Sequence, residues 1–388
     1  MKTLILLLSF LPAIAQVQTG ADRLFEQPYL SWIQGKRVGL ITNQTGIDRQ
    51  FQSTIDRLSR QPGVELTAIF APEHGIQGSR QAGRAIERSG RIYSLYGAER
   101  APTPEMLRDV DVLLYDIQDV GCRFYTFTST LLESMKAAAR SGIPLIVLDR
   151  PDPIGGNHLE GPPVEAALAS FVGIEGLPIR YGLTPGELAG MLNKERQLGC
   201  RLKIVPLKGW RRGLWFDQTG LAWILPSPNM PTLGTATVYP GLCLIEGTNL
   251  SEGRGTTRPF ELVGAPWLRS GELAERLNRL HLPGVRFRPQ SFVPSFSKYR
   301  GEACQGVQIH VLNRNLFRPV ETALHLLAAV RKLHPRVFEF SESFDRLAGN
   351  SWIRPRLSQG LPVEQIIRKW QHSLREFEKK RKLYLLYP

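Results

Sequence analysis

The chain carries none of the short motifs by which a nucleotide, a zinc ion or a serine nucleophile is usually held. No GxGxxG follows its first β-branched run and no GxxxxGK[ST] occurs anywhere, which removes the usual dinucleotide and P-loop uses of an α/β chain. HExxH is absent, the seven histidines are scattered, and the four cysteines (Cys122, Cys200, Cys243 and Cys304) form no CxxC pair, so metal-ligand spacing is missing. No cofactor and no metal are expected. The cysteines read as buried or disulfide-paired and not as catalytic, and their spacing does not select a pairing. GxSxG, which marks a strained serine elbow, is also lacking. Carboxylates remain as the groups able to do chemistry.

Long apolar runs are equally scarce. Beyond the N-terminus none approaches the roughly 18 uninterrupted residues of a membrane-spanning helix. The first residues, MKTLILLLSFLPAIA, place Lys2 before an apolar run and end on Ala13-x-Ala15, the layout of a secretory signal over 1–15 with cleavage before Gln16. An exported protein is expected, periplasmic or secreted, with no integral membrane segment after signal removal. Its formal charge of +14 suits an acidic partner; export disfavours nucleic acid and favours an acidic extracellular polymer. The basic run Lys379-Lys380-Arg381-Lys382 reads as a solvated helix end, where cations suit the dipole.

What is present is alternation. RVGLIT (37–42), VELTAIF (64–70), DVLLYDI (111–117) and PLIVLD (144–149) are short runs, apolar at their centres, as strands covered on both faces require. Helical spacing is expected between them, over 49–60 and 126–141, and another helix opens at Thr184-Pro185, a cap followed by proline at the first helical position. The later LHLLAAVRKL and VEQIIRKWQHSLREF repeat apolar residues every three or four positions, with Val363, Ile366, Ile367, Trp370, Leu374 and Phe377 in one core-facing stripe. The reading is α/β: a Rossmann-like parallel-sheet domain over 16–234 and a smaller C-terminal α+β domain over 235–388, with a cleft between them.

A parallel sheet collects ligands beyond the carboxyl ends of its strands. Four loops reach that rim: Asn43-Gln44-Thr45-Gly46, Glu73-His74-Gly75, Gln118-Asp119-Val120-Gly121-Cys122-Arg123 and Arg150-Pro151-Asp152-Pro153. Together they look like a site. Glu160 follows in LEGP. The stretch 227–261, rich in glycine and proline and therefore expected to lack a regular helix, adds Asn229, Glu246, Asn249, Glu252, Arg254 and Thr256.

The strings LITNQTG, FAPEHGIQG, DIQDVGCRFYTF, VLDRPDPIGG, LEGP, SPNMPT, YPG, IEGTNLSEGRGTTRPFELVGAP and LAGNSWIR resemble those of the NamZ-type exo-β-N-acetylmuramidases, glycoside hydrolase family 171, from about Gly20 to the C-terminus. The resemblance implies exo-acting removal of N-acetylmuramic acid from the non-reducing end of peptidoglycan-derived saccharides or muropeptides, in cell-wall turnover or recycling. It implies two catalytic glutamates: Glu73 in PEHG matches one, and Glu160 is taken as the second, with Glu246 and Glu252 as rivals. The matched strings also supply Asn43, His74, Asp116, Gln118, Asp119, Arg123, Tyr125, Arg150, Asn229, Glu246, Asn249, Glu252 and Arg254 as substrate-binding candidates.

Glycoside cleavage needs a protonated acid and an ionised carboxylate, and Glu73, flanked by Pro72 and apolar neighbours, is read as the acid. The second carboxylate can activate water, attack directly, or orient the sugar's own 2-acetamido group; these schemes stay open. The lactyl carboxylate of muramic acid calls for an arginine fork, with Arg123, Arg150 and Arg254 as candidates. Two other functions also stay open: an exported muropeptide receptor without activity, and an exo-β-N-acetylglucosaminidase.

Overall fold

Five consecutive buried residues end strand β1 (Lys36–Thr42), and every residue of β4 (Val112–Asp116) and β5 (Leu145–Leu148) is buried. Strands so enclosed need cover on both faces, which helices and the second domain provide. With β2 (Val64–Ala71), β3 (Ile92–Ser94) and β6 (Leu202–Val205) they form one six-stranded sheet, ordered β3-β2-β1-β4-β5-β6, in which every neighbouring pair is parallel. This is the doubly wound order, whose direction reverses between β1 and β4. The computed structural model describes residues 16–81 and 92–388, so the expected signal over 1–15 lies outside the described residues.

The helix expected over 126–141 spans Phe127–Arg140. The one opening at Pro185 runs to Glu195, with Thr184 and Glu187 capping each other's backbone N–H groups, an arrangement worth about 1 kcal/mol. The helix expected over 49–60 starts only at Thr54. Asp48 Oδ1 accepts the N–H groups of Gln50 and Gln52 at 2.9 Å each and holds that stretch as a turn until Ser53 caps the helix. A second correction concerns 227–261, where Leu233–Leu242 is helical despite Pro240. Thr232 caps it, and Gly241 lets its last turn lie against the helix Pro319–Leu333: a Cβ there would stand 1.8 Å from Pro319 O. Packing outweighs local propensity at this point.

The C-terminal domain has a three-stranded antiparallel sheet of β7 (Leu262–Ala265), β8 (Val285–Phe292) and β9 (Cys304–Val311), ordered β7-β9-β8. Helix Ser270–Arg279 packs on it, Pro319–Leu333 packs on that helix, and Val363–Arg381 lies against Pro319–Leu333. In the last of these Val363, Ile366, Trp370 and Phe377 are buried and Ile367 and Leu374 partly so, the stripe read from the sequence. Its basic end is different from expectation. Arg381 is buried and donates to Gly156 O at 2.7 Å and Gly182 O at 2.8 Å, while Lys379, Lys380 and Lys382 are exposed. The long arm therefore bolts the C-terminal helix to the first domain. One apolar core continues from the parallel sheet to the Pro319–Leu333 helix, and the four cysteines are buried within the protein and unpaired. Among the described residues no helix is long and apolar enough to cross a membrane.

Candidate active site

Beyond the ends of β2 and β4 the two domains enclose a cavity of about 320 Å³. The first domain contributes Glu73, His74, Tyr96, Phe124, Tyr125, Thr126 and Val172, followed by Ser227, Asn229 and Met230 of the connecting stretch. The C-terminal side contributes Tyr239, Cys243, Glu246, Arg254, Phe260 and Leu347. Two carboxylates, one guanidinium and one imidazole thus share a wall of aromatic and aliphatic groups, the mixture expected of a small-ligand site.

Glu73 follows β2 directly and is 8 % exposed. Thr126, at the start of the Phe127–Arg140 helix, donates its hydroxyl to Glu73 Oε2 at 2.7 Å, so the loop after β4 fixes the acid that follows β2. His74 takes a left-handed backbone (φ 73°), and its Nδ1 lies 2.7 Å from Arg80 O. A carbonyl only accepts, so Nδ1 carries the proton. Burial lowers the imidazole's pKa, partly opposed by the charge of Glu73, and the neutral ring then keeps a lone pair on Nε2.

Glu246 enters from the second domain. Arg254 Nη2 lies 2.9 Å from Glu246 Oε1 and Arg254 Nη1 3.4 Å from Glu252 Oε1. Burial pulls the guanidinium pKa down, but the two carboxylates more than offset that and the net shift is upward. Phe260 backs the guanidinium at 5.1 Å. Asn229 donates to Gln81 Oε1 at 3.0 Å, closing the cavity between the connecting stretch and the loop after β2. Burial raises the Tyr125 phenol, whose ring stands edge-on to Tyr239 at 5.9 Å.

The rest of the predicted rim faces elsewhere. At the β1/β4 reversal a separate cavity of about 100 Å³ is lined by Thr45, Gln118 and Arg150. Several polar groups in and beside it are engaged with the protein. Asn43 Oδ1 accepts from Thr45 N at 2.9 Å and Thr45 Oγ1 at 2.6 Å; Gln118 Nε2 donates to Asp119 O and Pro151 O. Arg150 pairs with Asp116 at 2.6 Å, and Asp116 also accepts from Thr54 Oγ1 at 2.6 Å. Asp119 is a buried residue of the loop that follows β4; burial and the nearby Asp152 raise its carboxyl to about 8. Gly121 makes that loop possible, with φ 72° and a position where a Cβ would come within 2.3 Å of Asp152 Oδ1.

Four other candidates are also outside the main cavity. Glu160 Oε1 accepts the Glu321 N–H at 2.9 Å, capping the Pro319–Leu333 helix across the domain boundary, and burial raises its carboxyl to about 7. The second carboxylate of the cavity is Glu246 instead. Arg123 is fully buried, and burial lowers its pKa to about 10; it donates to Pro162 O at 2.9 Å and Leu347 O at 2.5 Å, which leaves it no role as a receptor for an acid. Asn249 binds backbone groups of Val337 and Glu339. Glu252 supports Arg254 from behind. Of the three arginines proposed for an anionic substrate group, only Arg254 lines the main cavity.

Thr126, Tyr239 and Cys243 were missed as lining residues, although each lies in or beside a matched string. Cys243 Sγ is 3.5 Å from Glu246 Oε1, and burial first, then that carboxylate, drives its thiol pKa well up. It is an inert wall residue. Tyr96 and Val172 lie between the matched strings and carry no local signal.

The profile described as "Exo-beta-N-acetylmuramidase NamZ, N-terminal" matches residues 38–234, and "Exo-beta-N-acetylmuramidase NamZ, C-terminal" matches residues 237–387. The chain is 51 % identical over 380 residues to a protein of Bacillus subtilis (strain 168) named peptidoglycan beta-N-acetylmuramidase NamZ, covering 96 % of this chain and 92 % of that one. Two crystal structures of DUF1343 family proteins from Bacteroides fragilis NCTC 9343 have the same fold. One superposes with a TM-score of 0.90 at 42 % identity, covering 97 % of this chain and 100 % of its own; the other gives 0.77 at 29 %, covering 96 % and 99 %. With both profiles matched in order and half the residues shared across nearly the whole length, the chain belongs to the NamZ family of exo-β-N-acetylmuramidases.

Proposed function

We propose that this protein is an exo-acting glycoside hydrolase that releases N-acetylmuramic acid from the non-reducing end of peptidoglycan fragments. The observation that carries this reading is the meeting of Glu73 and Glu246, from two domains, in one cavity of a chain closely related to a named peptidoglycan β-N-acetylmuramidase. A volume of about 320 Å³ stands at the lower end of small-ligand sites, in keeping with one terminal sugar and not a bound glycan strand.

In this scheme Glu73, held by Thr126, delivers a proton to the glycosidic oxygen. Glu246, paired with Arg254, supplies the negative charge that stabilises the oxocarbenium-like state or aligns the attacking group. Arg254 is the receptor for the lactyl carboxylate, because of the three candidate arginines it alone lines the cavity. The leader pattern of residues 1–15 and the net charge of +14 support action outside the cytoplasm, periplasmic or secreted, on wall fragments released there.

Purified protein incubated with a chromogenic β-N-acetylmuramide and with the matched β-N-acetylglucosaminide tests the reading. Colour from the muramide alone is the expected result. Preference for the glucosaminide would overturn the substrate, and saturable binding without turnover would make the protein a receptor.

A further inference from the structure

Glu246, Glu252 and Arg254 all lie on a stretch of chain with little regular structure of its own. It opens with the 3₁₀ turn Cys243–Gly247, where Ile245 O accepts from Thr248 N and Thr248 Oγ1 at 3.0 and 2.8 Å. Four carbonyl groups of this stretch also converge on one side chain. Lys298 Nζ lies 3.2 Å from Ile245 O, 3.1 Å from Glu246 O, 2.7 Å from Thr248 O and 2.9 Å from Leu250 O, with Glu252 Oε2 at 3.4 Å. The next residue, Tyr299, donates its hydroxyl to Asn249 O at 2.6 Å.

Four carbonyls and a carboxylate around one positive centre make the surroundings of a monovalent cation. An ammonium brings three donors and no acceptor, and here they are shared among five oxygen acceptors. Without a cation the carbonyl dipoles would face one another in a partly buried space.

The backbone presenting Lys298 is built for this task at some cost. Ser297 (φ 71°) and Tyr299 (φ 57°) both occupy the left-handed region without being glycine, a conformation that persists only where neighbouring contacts impose it. The same loop is tied to the other side of Arg254. Ser295 donates its N–H and its hydroxyl to Gly255 O at 2.8 and 2.9 Å, and a Cβ on Gly255 would come within 2.5 Å of Phe296 O. One short loop therefore grips the chain before Glu252 and after Arg254.

We infer that Lys298 is a positioning residue, a tethered cation that holds the 245–250 turn closed and thereby sets where Glu246 and Arg254 stand in the cavity. Its ammonium also faces Glu252, so the charges run Glu246, Arg254, Glu252, Lys298 with alternating sign. Lys298 lines no part of the cavity and acts only through the residues it holds. The inference rests on the hydrolase reading above.

The test uses Lys298→Met and Lys298→Ala with the chromogenic muramide. Lys298→Met is expected to lower kcat about 100-fold, the scale of a small misplacement of catalytic groups, while keeping a cooperative unfolding transition. Lys298→Ala is expected to regain activity several-fold with ammonium or potassium chloride and not with tetramethylammonium chloride at the same ionic strength. A Lys298→Met variant within about twofold of wild type, or a Lys298→Ala loss that all three salts treat alike, overturns the inference. Should both variants fail to fold, trace acylation of the wild type with acetic anhydride decides: Lys298 reacting more slowly than the exposed lysines supports the cage, and equal reactivity overturns it. Failure of the hydrolase reading is visible separately, as wild-type protein that releases no colour.

Discussion

Thr126 Oγ1 donates to Glu73 Oε2 across 2.7 Å, joining the loop after β4 to the acid after β2 at the floor of the cavity. Glu73→Gln keeps the shape and the acceptor for Thr126 but removes the transferable proton. Release of N-acetylmuramic acid from the chromogenic substrate should fall by about 10³-fold with an unchanged unfolding midpoint. Thr126→Val should lower kcat by a smaller factor, because the acid remains but loses its tether. Normal turnover by Glu73→Gln would remove it from the chemistry.

The two other glutamates separate by what each variant loses. Glu246→Gln leaves Arg254 facing a neutral amide in the cavity, and kcat should drop at least 100-fold with little change in stability. Glu160→Gln keeps an amide oxygen able to accept the Glu321 N–H and cap the helix at the domain junction, so the fold and kcat should both stay nearly intact. The opposite pattern would restore Glu160 as the second catalytic carboxylate.

Arg254→Lys keeps one positive charge and removes the planar fork. If the fork receives the lactyl carboxylate, KM for the muramide should rise by about tenfold or more, the worth of a charge-assisted hydrogen bond, with a smaller effect on kcat. Steady-state kinetics on the muramide give kcat and KM separately. A fall in kcat with KM unchanged would assign Arg254 to holding Glu246 alone.

The four central strands of the parallel sheet were legible because burial on both faces leaves unbroken apolar runs, and the position of Glu73 followed from the rule about strand ends. The division among rim loops was not. Asn43, Gln118 and Arg150 have the residue types of a binding site, but their partners are backbone groups, the Thr45 hydroxyl and Asp116, brought together by the fold. Arg123 and Arg254 look alike in their strings; only docking of the second domain buries one against carbonyls and turns the other into the cavity. The same docking makes Glu160 a helix cap. Lys298 has no local signature at all, since its function lies in carbonyl groups some fifty residues earlier.

Buried acids give the protein a pH dependence whose sign is set by the direction of their shifts. Burial raises Asp119 to about 8 and Asp149, Asp152 and Glu160 to about 7. Each then holds its proton in the folded protein over a range where the unfolded chain, with ordinary carboxyl groups near pH 4, has released it. At these four sites the folded state binds more protons in that window, so their contribution to stability falls as pH rises from about 4 to 8, the reverse of an acid held by a salt bridge. Burial lowers His74, His158, His325 and His334, whose contribution runs the other way below about pH 6.5, so the acids are read from single variants. Asp119→Asn replaces a carboxyl that is neutral at pH 7 by an amide that never ionises, and it can still accept from the Gly121 N–H that Asp119 Oδ2 meets at 3.3 Å. Its melting temperature should match wild type near pH 4 and exceed it increasingly up to pH 8. A difference that stays constant with pH would show that Asp119 ionises normally in the folded protein.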